Sequence, residues 1–383
     1  MKIAYCTPSL YMAGGVERVL TTKMNWLVEH TDHEVYVILT DGAGQPPFYT
    51  LDPRVHVIQL DINFEQLWHL SFLKKGFVFM RKQRQYKKAL KKALLEIRPD
   101  ITDSLMRREI NFITSIKDGS LKIGELHVNR NNYRNFEANE TNFVKRMFEK
   151  YWMGQLLRKV KKLDRFVVLS NEDAANWHEL DNVHVIPNPL PQIYTQHATL
   201  QNKTVVACGR YVYQKGFDLL IEAWRYVHER HADWKLEVYG KGDRDVYQQQ
   251  VEDLQLGDNI KLNGPTSDIE SKYAASSIFV LSSRFEGFGM VLIEAMNCGV
   301  PCVSFACPCG PKDIITDGKD GILVPNGDVK ALADGVCRLI EDEALRKQMG
   351  SAALALSLCY KTENVMQQWV GLFDELDSKL GDK

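Results

Sequence analysis

What most constrains this chain is a strand–helix pattern that starts twice. Residues 2–6, KIAYC, are an apolar strand; a turn follows at Gly14-Gly15; VERVLTTKMNWLVEH has helical spacing and EVYVILT is a second strand. The pattern restarts at residue 203 with the strand KTVVACG, the helix FDLLIEAWRYVHER and the strand WKLEVYG. After GKGD come a helix, the strand IKLNG, a helix around SDIESKYAAS and the strand SIFVLSS. Alternation of this kind gives a parallel sheet covered by helices on both faces. The expected class is α/β: two Rossmann-like domains facing across a cleft, at 1–190 and 200–360. Residues 183–203, with three prolines, read as the linker. The last helical stretch, 362–381, can stay on the second domain or cross back to the first; periodicity does not choose.

A length of 383 residues suits two domains, and a net charge of -1 neither demands nor excludes a charged partner, so charge is read locally. The opening MKIAYCTPSL is too brief for a signal-peptide core, and no apolar stretch is long enough for a bilayer. A cytoplasmic protein with reduced thiols is expected. Cys298, Cys302, Cys307 and Cys309 fall in one window and are weighed as zinc ligands. The paired spacing of structural zinc sites is missing, so buried thiols are the preferred reading.

Two stretches of the second half carry chemistry. In CGRYVYQKGFD, residues 208–218, Arg210 and Lys215 sit in a glycine-bounded loop at a strand's carboxyl end, where open α/β sheets bind ligands. A guanidinium fork and an ammonium suit a diphosphate, the alternative being a solvated surface pair. In SRFEGFGMVLIEAMNCGVPCV, residues 283–303, Glu286 precedes a glycine loop and Glu294 lies one turn into the helix that follows. The N–H groups of Gly289, Met290 and Val291 make a ready anion site. The two carboxylates can each take a sugar: Glu294 a ribose, Glu286 a second ring.

The stretches GRYVYQKGFDLLIEAW, SRFEGFGMVLIEAMNCGVPCVSF and CGPKDIITDGKDGILVPNGD resemble glycosyltransferase family 4, retaining enzymes of the GT-B fold. The resemblance is strongest over residues 203–345. It implies that Arg210 and Lys215 grip the donor diphosphate, beside Gly209. It implies that Glu286 meets the transferred sugar, that Phe288, Gly289, Met290 and Val291 contact sugar and phosphate, and that Glu294 holds the ribose. It also implies that Gly14 and Gly15 form the first-domain loop toward donor phosphate and acceptor, and it favours a last helix that returns to the first domain.

Many family members carry a histidine followed by aspartate after a middle strand of the first domain. Here LKIGELHVNRNNY puts His127 in that position with Val128 after it, so His127 is read either as catalytic or as a hydrogen-bonded strand-end histidine. Glu125 is read as its orienting partner or an acceptor contact, and Asn129 and Arg130 as residues near the acceptor. The resemblance favours front-face displacement over a carboxylate nucleophile. The donor is expected to be a UDP-sugar and the acceptor a glycan or polyprenyl-linked glycan. No Asp-x-Asp dyad of the kind metal-dependent glycosyltransferases use is found in the sequence, and no metal or other cofactor is expected, since two fixed cations can take its place.

An NAD-dependent oxidoreductase is disfavoured because YMAGGVERV lacks the Gly-x-Gly-x-x-Gly spacing. A GT-B sugar-nucleotide epimerase and a nucleotide-sugar-binding protein without transferase activity stay open. Residues 74–97 and 143–166 are basic-aromatic runs. In the first, Phe79, Tyr86, Leu90, Leu94 and Ile97 share a helical face and Lys82, Lys88, Lys91 and Lys92 fall largely off it. They read either as solvated faces of Rossmann helices or as a peripheral contact with anionic membrane at its inner face. No nucleic-acid motif accompanies them.

Overall fold

The computed structural model describes residues 1–69, 71–133 and 143–381. The chain divides into two compact units: Met1–Leu169 with Asp173–Pro191 and Thr362–Lys383, and Ser170–Glu172 with Gln192–Lys361. The first half runs β1 (Lys2–Thr7), α1 (Gly15–His30), β2 (Glu34–Leu39), β3 (His56–Gln59), α2 (Phe72–Ile97), β4 (Ile101–Ser104), β5 (Leu121–Glu125), α3 (Phe143–Val160), β6 (Arg165–Val168), α4 (Asn171–Asn176) and β7 (Val183–Val185). The second runs β8 (Thr204–Cys208), α5 (Phe217–Arg230), β9 (Lys235–Tyr239), α6 (Asp245–Asp253), β10 (Ile260–Asn263), α7 (Ile269–Ala274), β11 (Ile278–Leu281), α8 (Met290–Asn297), β12 (Cys302–Phe305), α9 (Pro311–Ile314), β13 (Gly321–Val324), α10 (Val329–Glu341) and α11 (Glu343–Ser357), before α12 (Thr362–Gly381) rejoins the first unit.

Both sheets are parallel, in the orders β3-β2-β1-β4-β5-β6-β7 and β10-β9-β8-β11-β12-β13. Period-2 geometry sends alternate residues of β1 to opposite faces. Ile3 and Tyr5 join the core under α1 and α12 with Leu20, Leu27, Val365, Trp369 and Phe373. Ala4 and Cys6 join the core under α2 and α3 with Tyr86, Leu90, Leu94, Leu156 and Val160. A strand buried on both faces has no polar row, which is why KIAYC reads as a continuous apolar run. In the second unit α10 begins on Asp328, which accepts the Ala331 N–H at 2.9 Å, and α11 on Asp342, which accepts the Leu345 N–H at 2.9 Å.

Two sequence expectations change here. The first residues of the expected linker are a strand, because β7 pairs with β6 from Phe166↔Val183 to Val168↔Val185. Lys82 does not lie off the apolar face of α2. It is buried, and its ammonium donates to the Ile62 carbonyl, to the Asn63 carbonyl at 3.0 Å and to Gln66 Oε1 at 3.1 Å. Asp61 and Asn63 stand at φ of 53° and 57°, in the turn whose carbonyls Lys82 meets. The long aliphatic stem lets a lysine fill an apolar position this way. Lys88, Lys91 and Lys92 are exposed.

Phe373 is fully buried between α12 and the sheet of the first unit. Phe373→Ala should cost about 3–5 kcal/mol of that unit's stability. Urea unfolding followed by near-UV circular dichroism checks this, and a cost under about 1 kcal/mol would show that α12 contributes little to the core.

Candidate functional site

Sheet order decides where a ligand can enter. In the second unit the chain leaves β8 for β9 and β10, then returns to the other side of β8 at β11 and continues to β12 and β13. Open parallel sheets bind ligands outside the carboxyl ends of the strands at such a switch point. The loop after β8, residues 209–216, holds Gly209, Arg210 and Lys215; the loop after β11, residues 282–289, holds Glu286, Phe288 and Gly289. The topology brings these sequence candidates to one edge.

The two loops are stitched together. The Arg284 N–H donates to the Gln214 carbonyl at 2.8 Å, Gln214 Nε2 to the Phe285 carbonyl at 3.0 Å, and Ser282 Oγ to the Lys215 carbonyl at 2.9 Å. Gly216 has φ 60°, and a Cβ there would lie 2.1 Å from the Ser282 carbonyl oxygen, so only glycine permits the approach. Arg284 forks onto Asp218 in the first turn of α5, Nη1 to Oδ1 at 2.8 Å and Nη2 to Oδ2 at 2.6 Å. Burial alone would raise the Asp218 carboxyl; the Arg284 hydrogen bonds hold it below its ordinary range.

At the centre Lys215 Nζ lies 2.7 Å from Glu286 Oε1, and Ser283 Oγ donates to the same oxygen at 2.6 Å. The sequence reading gave Lys215 and Glu286 separate partners; the structure pairs them. A third loop, after β12, closes on them: the Glu286 N–H donates to the Pro308 carbonyl at 3.0 Å. Gly310, at φ 123°, lies so close to Phe288 that a Cβ would sit 1.9 Å from its carbonyl oxygen. Helix α8 starts from Gly289 at φ 99°, and the N–H groups of Met290 and Val291 belong to its first turn, the electropositive end. One turn on, buried Glu294 accepts from the Tyr273 hydroxyl at 3.3 Å. Burial, then Cys208 and Glu294, push that phenol well above its ordinary value, so it serves as a donor. Arg210 is exposed in the same loop.

Ser283, Arg284, Asp218 and Tyr273 were not singled out from sequence. Arg284 and Ser283 stand inside one quoted motif and Asp218 ends the other, but the Arg284–Asp218 pairing and the place of Tyr273 follow only from strand order.

In the first unit the switch point falls between β1 and β4. A cavity of about 570 Å³ opens there, lined by Pro8 and Ser9 after β1, by Arg107 and Arg108 after β4, and by Asp41 and Val128. Gly14 caps α1 at the end of the loop after β1, and Gly15 is its first residue. His127, just past β5, places Nε2 3.0 Å from Glu125 Oε1, and Lys23 Nζ lies 2.5 Å from Glu125 Oε2. Against burial, which would raise it, Lys23 and His127 hold the Glu125 carboxyl at about 2. Neighbouring Asp103 goes the other way: burial, then the Glu125 charge, push its carboxyl well above the ordinary range. Asn129 is buried and its side chain accepts the Asn132 N–H, while Arg130 pairs with Glu179.

One sequence reading is corrected. Asp243-Arg244-Asp245 does have Asp-x-Asp spacing. It is exposed, and Asp243 Oδ1 accepts the Asp245 N–H at 3.0 Å where α6 begins, so its geometry is that of a helix-start turn. Cys298, Cys302, Cys307 and Cys309 are all buried, and among the described residues no group of three or more His, Cys, Asp or Glu side chains is placed to hold a metal.

Residues 195–355 match the family described as glycosyl transferases group 1. The match covers less than half of the chain and lies within the second unit. It is 27% identical to an exopolysaccharide phosphotransferase of Streptomyces coelicolor, across 100% of this chain and 41% of that protein, so it spans less than half of that relative's length. It is also 27% identical to an α-1,4-N-acetyl-D-galactosaminyltransferase of Campylobacter jejuni named for an undecaprenol-PP-linked glycan, across 98% of this chain and 99% of that one. The solved structure of Staphylococcus aureus TarM with fondaparinux, α-GlcNAc-glycerol and UDP superposes with a TM-score of 0.74, 19% identity and coverage of 97% and 99%. The fold is that of GT-B glycosyltransferases. The domain and these relatives support a transferase enzyme.

Asp103 yields a pH prediction. A carboxyl whose folded value is raised favours folding fully only below its unfolded value, near 4, and the favour is lost as pH rises toward the folded value. Asp103→Asn should therefore raise Tm relative to the wild type more at pH 8 than at pH 4. Thermal unfolding at both pH values checks this; a gap that shrinks with pH would mean that Asp103 is ionised in the fold.

Proposed function

We propose that the chain is a retaining glycosyltransferase that moves a hexose or N-acetylhexosamine from a UDP-sugar to a glycan or lipid-linked glycan. The observation that carries the reading is the convergence of Arg210, Lys215, Glu286, the α8 N-terminus and Glu294 on one switch point. UDP in the TarM structure and the undecaprenol-PP glycan in the name of the Campylobacter relative support the choice of donor and acceptor.

In this reading the diphosphate lies across Arg210, Lys215 and the first-turn N–H groups of α8, and Glu294 accepts from the ribose. Glu286 accepts from hydroxyls of the transferred sugar. The bond from the anomeric carbon to phosphate breaks, its electron pair leaves with the diphosphate, and the acceptor oxygen bonds on the same face while its proton passes to the departing phosphate oxygen. Catalysis then consists of stabilising the leaving charge and orienting the acceptor. The cavity at the first unit's switch point is the acceptor side, with His127 beside it in sequence and acting on the substrate. No metal is required, since Arg210, Lys215 and the helix end supply positive charge. The test is nucleotide release from a panel of UDP-sugars with polyprenyl-linked and polysaccharide acceptors. Release from none, or conversion of the donor sugar without acceptor as an epimerase would give, overturns the reading. Arg210→Ala and Lys215→Ala should each lower turnover on the order of a hundredfold or more, and EDTA should leave it unchanged. A folded Lys215→Ala enzyme with wild-type turnover would remove the diphosphate assignment, and activity restored by manganese after chelation would remove the metal-free one.

The lipid-linked acceptor implies work at a membrane surface, at its inner face, for a chain in which no described helix is long and apolar enough to cross one. Helix α2 exposes Phe77 and Met80 together with Lys87, Lys88, Lys91 and Lys92. Each such cation contributes about 1 kcal/mol near an anionic leaflet. Co-sedimentation should require anionic lipid, weaken with salt and drop when these four lysines become glutamine. Indifference to anionic liposomes at low salt would make α2 a solvated face.

A further inference from the structure

Lys23 sits where an apolar residue belongs. It lies four residues after Val19 and four before Leu27, in the middle of the stripe that α1 packs on the sheet, and its side chain is 1% exposed. Lysine is almost never fully buried unless paired. Its ammonium meets Glu125 Oε2 at 2.5 Å, lies 3.4 Å from the centroid of the Trp369 ring on α12 and 5.4 Å from that of Tyr5 on β1, with Asp103 of β4 beside the carboxylate. The other carboxylate oxygen is the one on His127 Nε2, at 3.0 Å. Four elements thus converge on a carboxylate whose free end is a histidine. Stability does not explain the arrangement, because well-packed hydrophobic residues commonly replace a buried ion pair without loss.

We propose that Lys23 is a positioning residue for sugar transfer, acting through Glu125 on His127; the proposal rests on the glycosyltransferase reading above. Lys23 anchors Oε2, which sets Oε1 to accept from Nε2–H of His127, so the neutral ring carries its proton on Nε2 and offers Nδ1 to the substrate. Trp369 covers the ammonium with its ring face, so the helix that ends the chain takes part in fixing the histidine.

Three measurements on the full-length protein test this. In ¹⁵N spectra of histidine-labelled wild type, with the His127 signal assigned by its loss in His127→Asn, the neutral ring should be the Nε2–H tautomer; a dominant Nδ1–H form overturns the proposal. Lys23→Met should lose that single tautomer and lower kcat on the order of a hundredfold with the donor KM unchanged. In the His127→Asn background the same change should cost nothing further, whereas an equal loss in both backgrounds would make Lys23 merely structural. If Lys23→Met does not fold, Glu125→Gln, which keeps the shape and loses the charge, takes its place with the same expected outcomes. If the wild type turns over no UDP-sugar, the function reading fails, while the tautomer measurement still decides whether the cluster sets the histidine.

Discussion

Lys215 and Glu286 follow different strands, and they meet because β8 and β11 pair side by side where the chain reverses its direction across the sheet. Their contact is largely shielded from water, with side chains 14% and 6% exposed. A carboxylate in that position is costly to strand without donors. An anion that draws the ammonium away takes a cationic partner from Glu286, while the Ser283 hydroxyl still donates to it. Under the proposed function this pair links phosphate recognition to sugar recognition. Around the pair, the Gln214–Phe285 and Ser282–Lys215 hydrogen bonds and the Arg284–Asp218 fork hold both loops in place, so the coupling acts in a preformed frame.

The first unit solves a different problem with the same topology. Its switch point opens on a cavity with Arg107, Arg108 and Asp41 at the wall, and behind β5 lies a charged cluster sealed by α1 and α12. Lys23, Glu125 and His127 balance one another, and Asp103 is left as the group that gives up its charge. Both carboxyls are buried, and their partners set which stays ionised: Glu125, held by Lys23 and by His127, does.

What could be read from sequence follows what each signal depends on. Buried parallel strands and amphipathic helices have local signatures, so β1, α1, β8, α5 and β11 are legible as runs. The motif loops are legible because glycine and charge are concentrated there. Strand order is not local. Nothing in Tyr273 or Asp218 marks them as partners of Glu294 and Arg284, since the chain segments that join them fold through other strands. Lys82 defeats the helical-face argument because the argument scores a lysine by its charge, whereas the molecule buries its stem and feeds its head to the Ile62 and Asn63 carbonyls. Lys23 was visible, as a cation at i+4 from Val19 and i−4 from Leu27, but only to a reading that treats a charge inside an apolar stripe as a question. The strand β7 was hidden by the prolines that follow it.

Charge bookkeeping at the second unit's edge shows how the metal question turns. The Lys215 ammonium is matched by Glu286, and Arg210 and the partial charge of the α8 N-terminus add further positive charge at this edge. The Asp-x-Asp pair, Asp243 and Asp245, spends its Asp243 Oδ1 on a backbone turn. Under the proposed function, sugar hydroxyls that reach Glu286 compete with Lys215 for its carboxylate, and a bare diphosphate brings none. In that proposal Lys215 supplies positive charge that a metal would otherwise carry, and the site favours the whole donor over the nucleotide it leaves behind.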